Sequence, residues 1–418
     1  MTTKRKRLLV QLHVPPIPAD SGSARRLLGH LQYFKKRSEY FEVDAISCQS
    51  FNNLLWNREQ EGALSDLVNN FYLYKTNISD YIYSHSKSFY YQRLLKHQLP
   101  IGCDYYSPPG YVKFARRIVS TNRYDIIWAN GGASENWICH SGISTIKTII
   151  DIHDIAANNC LAMKDFGHRK GLKFDYDSSF RKEIKLLDKF NAIVINSLEE
   201  VEQLKPHLPH HKLFWIPHLV ENQDANTVMP LYEDRAFQYD LLFVGNGRHQ
   251  PNVEGINFFL KEIFPKIVCY KPDVKMAIAG TVSELVHLDH AFKENVDCLG
   301  FIPDLAKLYL QARMMICPLL NGAGTKVKLQ EAMVYALPIV TTNVGASGLN
   351  LVNGHNALIE DEPATYAEQV LRLLNHPEFA NQLSDAILTT FKSNYSNQAV
   401  YTQLDRLFGI TDVSEMPT

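Results

Sequence analysis

Short apolar runs rich in β-branched and aromatic residues alternate along the chain with longer stretches in which apolar positions recur at helical spacing. That alternation predicts parallel strands joined by crossover helices, an α/β fold. In the first half the predicted strands are RLLVQLHV, FEVDAISC, NFYLYK, YDIIWAN, KTIIDIHD, NAIVINS and KLFWIPHL; the pattern restarts with YDLLFVGN, VKMAIAG, VDCLG, MMICPLL, LPIVTT and NALIE. Two doubly wound units follow. Between them, residues 218–238 are polar and lack a clear period, which marks a linker. The last helix, around Asn397 to Phe408, packs on one unit or the other, and the pattern does not decide which.

Length agrees, since 418 residues exceed one compact core and divide into two domains of about 200 residues. With 45% hydrophobic and 21% charged residues, the composition is that of an ordinary soluble protein. A formal net charge of -1 offers no global attraction to nucleic acid, so anion recognition has to be local. The basic start, MTTKRKRLLVQLHVPPIPAD, has its apolar stretch broken by Gln11, His13 and prolines, and reads as a mature cytoplasmic N-terminus. Seven cysteines without a CxxC pair, and sixteen histidines without HExxH spacing, argue against a disulfide framework and a metal site. Residues 71–115 are dense in tyrosine interleaved with Lys, Arg and His. They read as an extra hairpin and helices that bury their rings, or else as a surface for an acceptor or an anionic membrane.

Ligands of doubly wound sheets sit beyond the carboxyl ends of the strands. After MMICPLL comes NGAG, where Gly322, Ala323 and Gly324 let backbone amides approach an anion, and Thr325 is expected to open a helix whose positive end faces the same place. Glu331 then lies about two turns in, roughly 10 Å along the axis, near the distance from a pyrophosphate to a ribose diol. Alternatively Lys328 and Glu331, three apart, simply pair on a solvated face. Neighbouring loops favour the ligand reading: Gly245, Gly247 and Arg248 follow one strand with Asn252 leading into a helix, Thr281 follows another, and Phe301 and Ile302 follow a third. Together they describe one nucleotide pocket.

Residues 241 to about 375, through GNGRHQPNVEGINFFLKEIFPKI, LGFIPD, NGAGTKVKLQEAMVYALPIVTT and GASGL, resemble the C-terminal half of retaining glycosyltransferases of family 4, which have the GT-B fold of two Rossmann-like domains facing a cleft. Thinner likeness at PADSGSARRLLGHL, DIHDIA and FNAIVINSLEE extends into the first half. The resemblance implies an N-terminal acceptor domain at 1–220, a nucleotide-sugar donor domain at 221–395, and a C-terminal helix and tail at 396–418. It puts Gly22 near the donor phosphates, Ser21, Ser23, Arg25 and Asp154 near the acceptor, and His153 beside the reacting sugar; otherwise His153 merely ends a strand. The implied activity is metal-independent transfer of a sugar, with retention, from a nucleotide diphosphate to a glycan or lipid-linked saccharide in cell-surface polysaccharide synthesis. No cofactor is expected beyond that donor, no Asp-x-Asp stretch is placed to hold a metal against the diphosphate, and the expected location is the cytoplasm, with peripheral contact to the inner membrane face.

The chain departs from the family pattern at Ala323, where the first of two glutamates usually stands, the second being Glu331. The usual basic pair of the donor domain is replaced by Asn246 and Glu254, so Arg248, Lys326 and Lys328 are the candidates to supply the missing charge, the two lysines with a catalytic role. Two other readings compete: a nucleotide-sugar 2-epimerase, and a sugar-nucleotide binding protein without catalysis.

Overall fold

The computed structural model describes residues 4–19, 21–49, 56–96, 107–131, 138, 146–162, 173–220, 230–322 and 324–410. Two compact units divide the chain, the first built from Met1–Glu221 with Val400–Thr418 and the second from Asn222–Ala399.

In the first unit seven strands form one sheet: β1 (Lys6–Leu12), β2 (Phe41–Gln49), β3 (Asn70–Lys75), β4 (Ile126–Asn130), β5 (Lys147–Ile152), β6 (Ala192–Ile195) and β7 (Leu213–Trp215). Their order is β3-β2-β1-β4-β5-β6-β7, every pairing parallel. The second unit carries β8 (Tyr239–Val244), β9 (Met276–Ala279), β10 (Val296–Gly300), β11 (Ala312–Cys317), β12 (Ile339–Thr341) and β13 (Leu358–Ile359), ordered β10-β9-β8-β11-β12-β13 and again all parallel. Each apolar run read from the sequence holds one of these strands. Central strands such as β4 and β9 are buried along their whole length, because helices cover both faces of a parallel sheet.

The helix Gly22–Lys36 shows how the crossovers pack. Ser21 caps it, its hydroxyl accepting from Ala24 N, and Ala24, Leu27, Leu31 and Phe34 form the buried stripe. The final helix, Asn397–Phe408, joins the first unit: Val400, Leu404, Leu407 and Phe408 enter the core holding Phe34 and Trp128. Polar contacts fix its register, as Tyr33 Oη donates to Asp405 at 2.8 Å and Arg37 Nε donates to the same carboxylate at 3.0 Å.

The tyrosine-rich stretch differs from the hairpin expectation. Strand β3 pairs parallel with β2, and the helix Ile78–Phe89 that follows leaves Ile78, Ile82 and Phe89 exposed, with Tyr90 and Leu94 exposed just beyond. Not all its rings are inside: Tyr111 is buried, whereas Tyr81 and Tyr90 are exposed.

Candidate functional site

In the second unit the loops after β8, β9, β10 and β11 gather at the carboxyl ends of adjacent strands. Backbone amides tie those after β8, β9 and β10 together. Gly245 N donates to Ala279 O at 3.0 Å, Gly280 N to Gly300 O at 2.7 Å, and Gly247 N to Thr281 Oγ1 at 2.9 Å. Gly280 has φ +92, and a Cβ there would lie 2.2 Å from Gly245 O, so only glycine permits this approach. Phe301, following β10, is 73% exposed, a large ring left in water at the rim of these loops, while Ile302 beside it is half-buried.

The glycine turn after β11 also uses left-handed backbone, with φ +113 at Gly322 and +77 at Gly324. Ala323 lies outside the described residues. Beyond the turn the helix starts later than the sequence indicates: it spans Val327–Val334 with Lys326 at the cap position, so Thr325 does not open it. Thr325 Oγ1 instead lies 3.4 Å from Gly348 O. Glu331 is consequently about one turn in, roughly 6 Å along the axis, rather than two. Asn252, expected ahead of its helix, sits inside the first turn of Gln250–Phe258 and is buried.

The two lysines point to different partners. Lys326, 7% exposed, turns back on its own loop, Nζ donating to Gly324 O at 2.6 Å and lying 3.4 Å from Gly322 O. Lys328 Nζ donates to Asn252 Oδ1 at 2.7 Å and stands 4.4 Å from the centre of the Phe243 ring. This is not the solvated face of the simple pairing reading. Loss of solvation pushes the Lys328 ammonium below the usual lysine range, and the Lys326 charge adds to that. Glu331 is half-buried and accepts from Tyr309 Oη at 3.1 Å; the Tyr309 ring stacks on Tyr335. Arg248 is exposed, its backbone N held by Asn246 Oδ1 at 2.9 Å. The structure thus joins Gly245, Asn252, Thr281, Gly322, Gly324, Lys326 and Lys328 into one contiguous set of loops.

In the first unit, Ser21, Gly22, Ser23 and Arg25 open the helix after β1, and Arg25 Nε donates to Ala19 O at 3.1 Å. Ser23 Oγ lies 3.1 Å from His153 Nδ1, which follows β5. Asp154 Oδ2 accepts from Asn159 Nδ2 at 2.7 Å. His153 Nε2 is buried and has no hydrogen-bond partner among the described residues.

Sequence reasoning missed what surrounds His153. His13 presents its ring edge at 5.3 Å, and His218 lies at 6.4 Å. His13 directly follows β1 as His153 follows β5, and His218 comes shortly after β7, so histidines just beyond strand ends were the available signal. Behind them Arg26 grips Asp151 with Nε at 2.9 Å and Nη2 at 2.6 Å, both side chains buried, and His30 Nδ1 is 3.3 Å from the same carboxylate. Burial holds His13 down to about 4 and His30 to about 3, against the pull of Asp151. His153 and His218 are also well below the usual histidine value, through burial first and the Arg26 charge second. All four are neutral at neutral pH.

Comparison with known proteins bears on both units. Residues 238–376 match the family model described as Glycosyl transferases group 1. An uncharacterized 44.6 kDa protein from the cps region of Klebsiella pneumoniae is 25% identical over 184 residues, 40% of this chain and 47% of that protein. The chain spans about half the length of the curated relatives it matches. Among solved structures, a TarM mutant of S. aureus in complex with Fondaparinux, alpha-GlcNAc-glycerol and UDP is 13% identical, covers 96% of this chain and 99% of its own, and has a TM-score of 0.66. Alr3699/HepE of Anabaena in complex with UDP-glucose is 12% identical with a TM-score of 0.62, covering 97% and 100%. The chain has the fold of these proteins, two Rossmann-like parallel-sheet units.

Proposed function

We propose that this chain is a nucleotide-sugar glycosyltransferase that moves a sugar from a nucleotide diphosphate to a hydroxyl of a glycan or lipid-linked saccharide. One observation carries the reading: the segment matching the group 1 glycosyltransferase model contains the converging loops, with the Lys328 ammonium between Asn252 and Phe243 beside the glycine turn. Backbone amides of that turn and Lys328 would hold the diphosphate, Glu331 the ribose hydroxyls, and the exposed Phe301 ring the base.

Catalysis on this reading is charge stabilisation and positioning. Negative charge grows on the leaving diphosphate as the glycosidic bond breaks, and preorganised donors that meet it lower the barrier. His153 would contact the sugar through Nε2, with Nδ1 oriented by Ser23. The configuration at the anomeric carbon would be retained, the leaving phosphate oxygen helping to take the acceptor proton on the same face. No metal would take part; the Asp-x-Asp stretch Asp175–Asp177 begins a helix, where Asp175 caps by accepting from Ser178 N at 3.1 Å.

A place in cell-surface polysaccharide synthesis is supported by the cps-region relative, and the site of action would be the cytoplasm. The exposed Ile78, Ile82, Phe89 and Leu94, with Arg93 and Lys96 beside them, favour peripheral contact with anionic lipid. Flotation with anionic liposomes at low salt checks that part: no binding removes it.

The central test is product analysis with UDP-glucose, UDP-galactose, UDP-N-acetylglucosamine and GDP-mannose, offered with membrane lipid extracts as acceptor. Extension of a glycan, with retention by NMR, is expected. Release of isomerised donor, or binding without turnover, overturns the reading in favour of an epimerase or a binding protein.

A further inference from the structure

Three residues separate the end of β5 at Ile152 from the helix Ala156–Ala162, and His153 is the first of them. The segment's two ends are held differently. On the strand side the buried Arg26–Asp151 pair anchors β5. On the helix side two buried carboxylates from separate helices reach the backbone. Glu200 Oε1 accepts from Ile155 N at 2.9 Å, Glu183 Oε1 from Ala156 N at 2.8 Å, and Glu183 Oε2 from Ala157 N at 3.0 Å. Around them Tyr176 Oη donates to Asn158 Oδ1 at 3.0 Å, and Gln203 Nε2 donates to Tyr176 Oη at 2.8 Å.

We propose that Glu183 and Glu200 are positioning residues for the transfer reaction, a carboxylate clamp that sets His153 by fixing the backbone of residues 155–157. The inference rests on the glycosyltransferase reading only for the reaction it serves. Three charge-assisted bonds to consecutive amides leave the segment little freedom, and a shift of about 1 Å at a sugar-contacting group costs on the order of a hundredfold in rate. Neither carboxylate touches substrate. They act through His153.

The clamp works only while ionised, since a protonated Glu183 has one full acceptor oxygen for two N–H groups. Burial pushes Glu183 and Glu200 up to about 7, against the amides that pull them down; Asp154 at the strand end adds to the rise in both, and Glu183 adds to that of Glu200. Among the described residues the other titratable neighbours are Cys160 on the following helix and Tyr176 and Asp177 on the helix of Glu183; burial raises Cys160 and Tyr176, which stay protonated. The resulting signature is unusual in sign. Turnover rises as pH rises through about 7, because the clamp forms. Stability from these two groups runs the other way: their folded-state values exceed 4.5, so their contribution is present below 4.5 and is lost as pH rises through about 7.

Glu183→Gln and Glu200→Gln, in the full chain, test the clamp by two readouts. With whichever of the four nucleotide sugars the wild type turns over, Glu183→Gln is expected to lower kcat roughly tenfold at pH 8, to leave KM within about twofold, and to flatten the rise between pH 6 and 8. Hydrogen exchange at amides 155–157, corrected for intrinsic rates, should show greater protection at pH 8 than at pH 6 in the wild type; in Glu183→Gln the difference should vanish at amides 156 and 157 and persist at 155, which Glu200 holds. Glu200→Gln keeps one acceptor for Ile155 N and should lose only part of the pH response. Wild-type protection and an unchanged pH profile in both variants overturn the clamp. If the wild type turns over none of the sugars, the transfer reading fails, while the exchange measurements still decide the clamp.

Discussion

Ser23 and His153 stand 130 positions apart in the chain, yet Ser23 Oγ and His153 Nδ1 meet at 3.1 Å. The contact fixes the imidazole ring and leaves Nε2 buried and without a hydrogen-bond partner among the described residues. His153→Ala is expected to lower turnover by about a hundredfold or more with donor affinity nearly unchanged, as for a group whose contact strengthens in the transition state. Ser23→Ala should cost less, roughly three- to tenfold in kcat, since it loosens the ring without removing it. Steady-state kinetics beside donor calorimetry check both; wild-type turnover in a stable His153→Ala removes the assignment.

Lys326 and Lys328 should separate cleanly. Lys328→Ala is expected to lower the single-turnover rate by roughly ten- to a thousandfold at saturating donor, about 1.4–4 kcal/mol in activation free energy. Lys326, bonded to Gly324 O, braces the turn. Its replacement by Ala should act mainly on donor affinity. Two wild-type rates would mean that backbone and Arg248 suffice.

For Glu331 the structure adds Tyr309 as a holder. Glu331→Gln should weaken nucleotide binding by about 1.5–3 kcal/mol, the worth of a charge-assisted hydrogen bond. Tyr309→Phe should weaken it by about 0.5–1.5 kcal/mol, through a less ordered carboxylate. Calorimetry with UDP is the measurement, and unchanged affinity in Glu331→Gln would leave that carboxylate a structural role only.

The neutral histidines predict acid sensitivity of the first unit. His13 is depressed from 6.5 to about 4 and His30 to about 3, so the unfolded chain binds more protons than the folded one between those values. Their stabilisation is present above 6.5 and is lost as pH falls toward 4 and below. His13→Asn should flatten the fall by on the order of 3 kcal/mol between pH 6.5 and 4. Urea titrations across that range check it, and an identical pH slope in the variant would show that His13 titrates normally.

Apolar period was enough to place the strands of both sheets, because a parallel strand covered on both faces must be apolar along its length, as Ile126–Asn130 is. The glycine turn was legible for a related reason: Gly322 and Gly324 take backbone that other residues adopt with strain. Helix starts were less legible. Val327 rather than Thr325 begins its helix, and the residues before it make loop contacts that no propensity encodes: Lys326 Nζ to Gly324 O, and Thr325 Oγ1 beside Gly348 O. The identity of the lysines as candidates came from sequence, but their division of labour came from tertiary placement, since Asn252 lies 76 positions from Lys328. So did the surroundings of His153. Nothing in the linear pattern marks Arg26, Asp151, Glu183 and Glu200 as partners, and only the fold brings them, buried, to β5 and the segment that follows it.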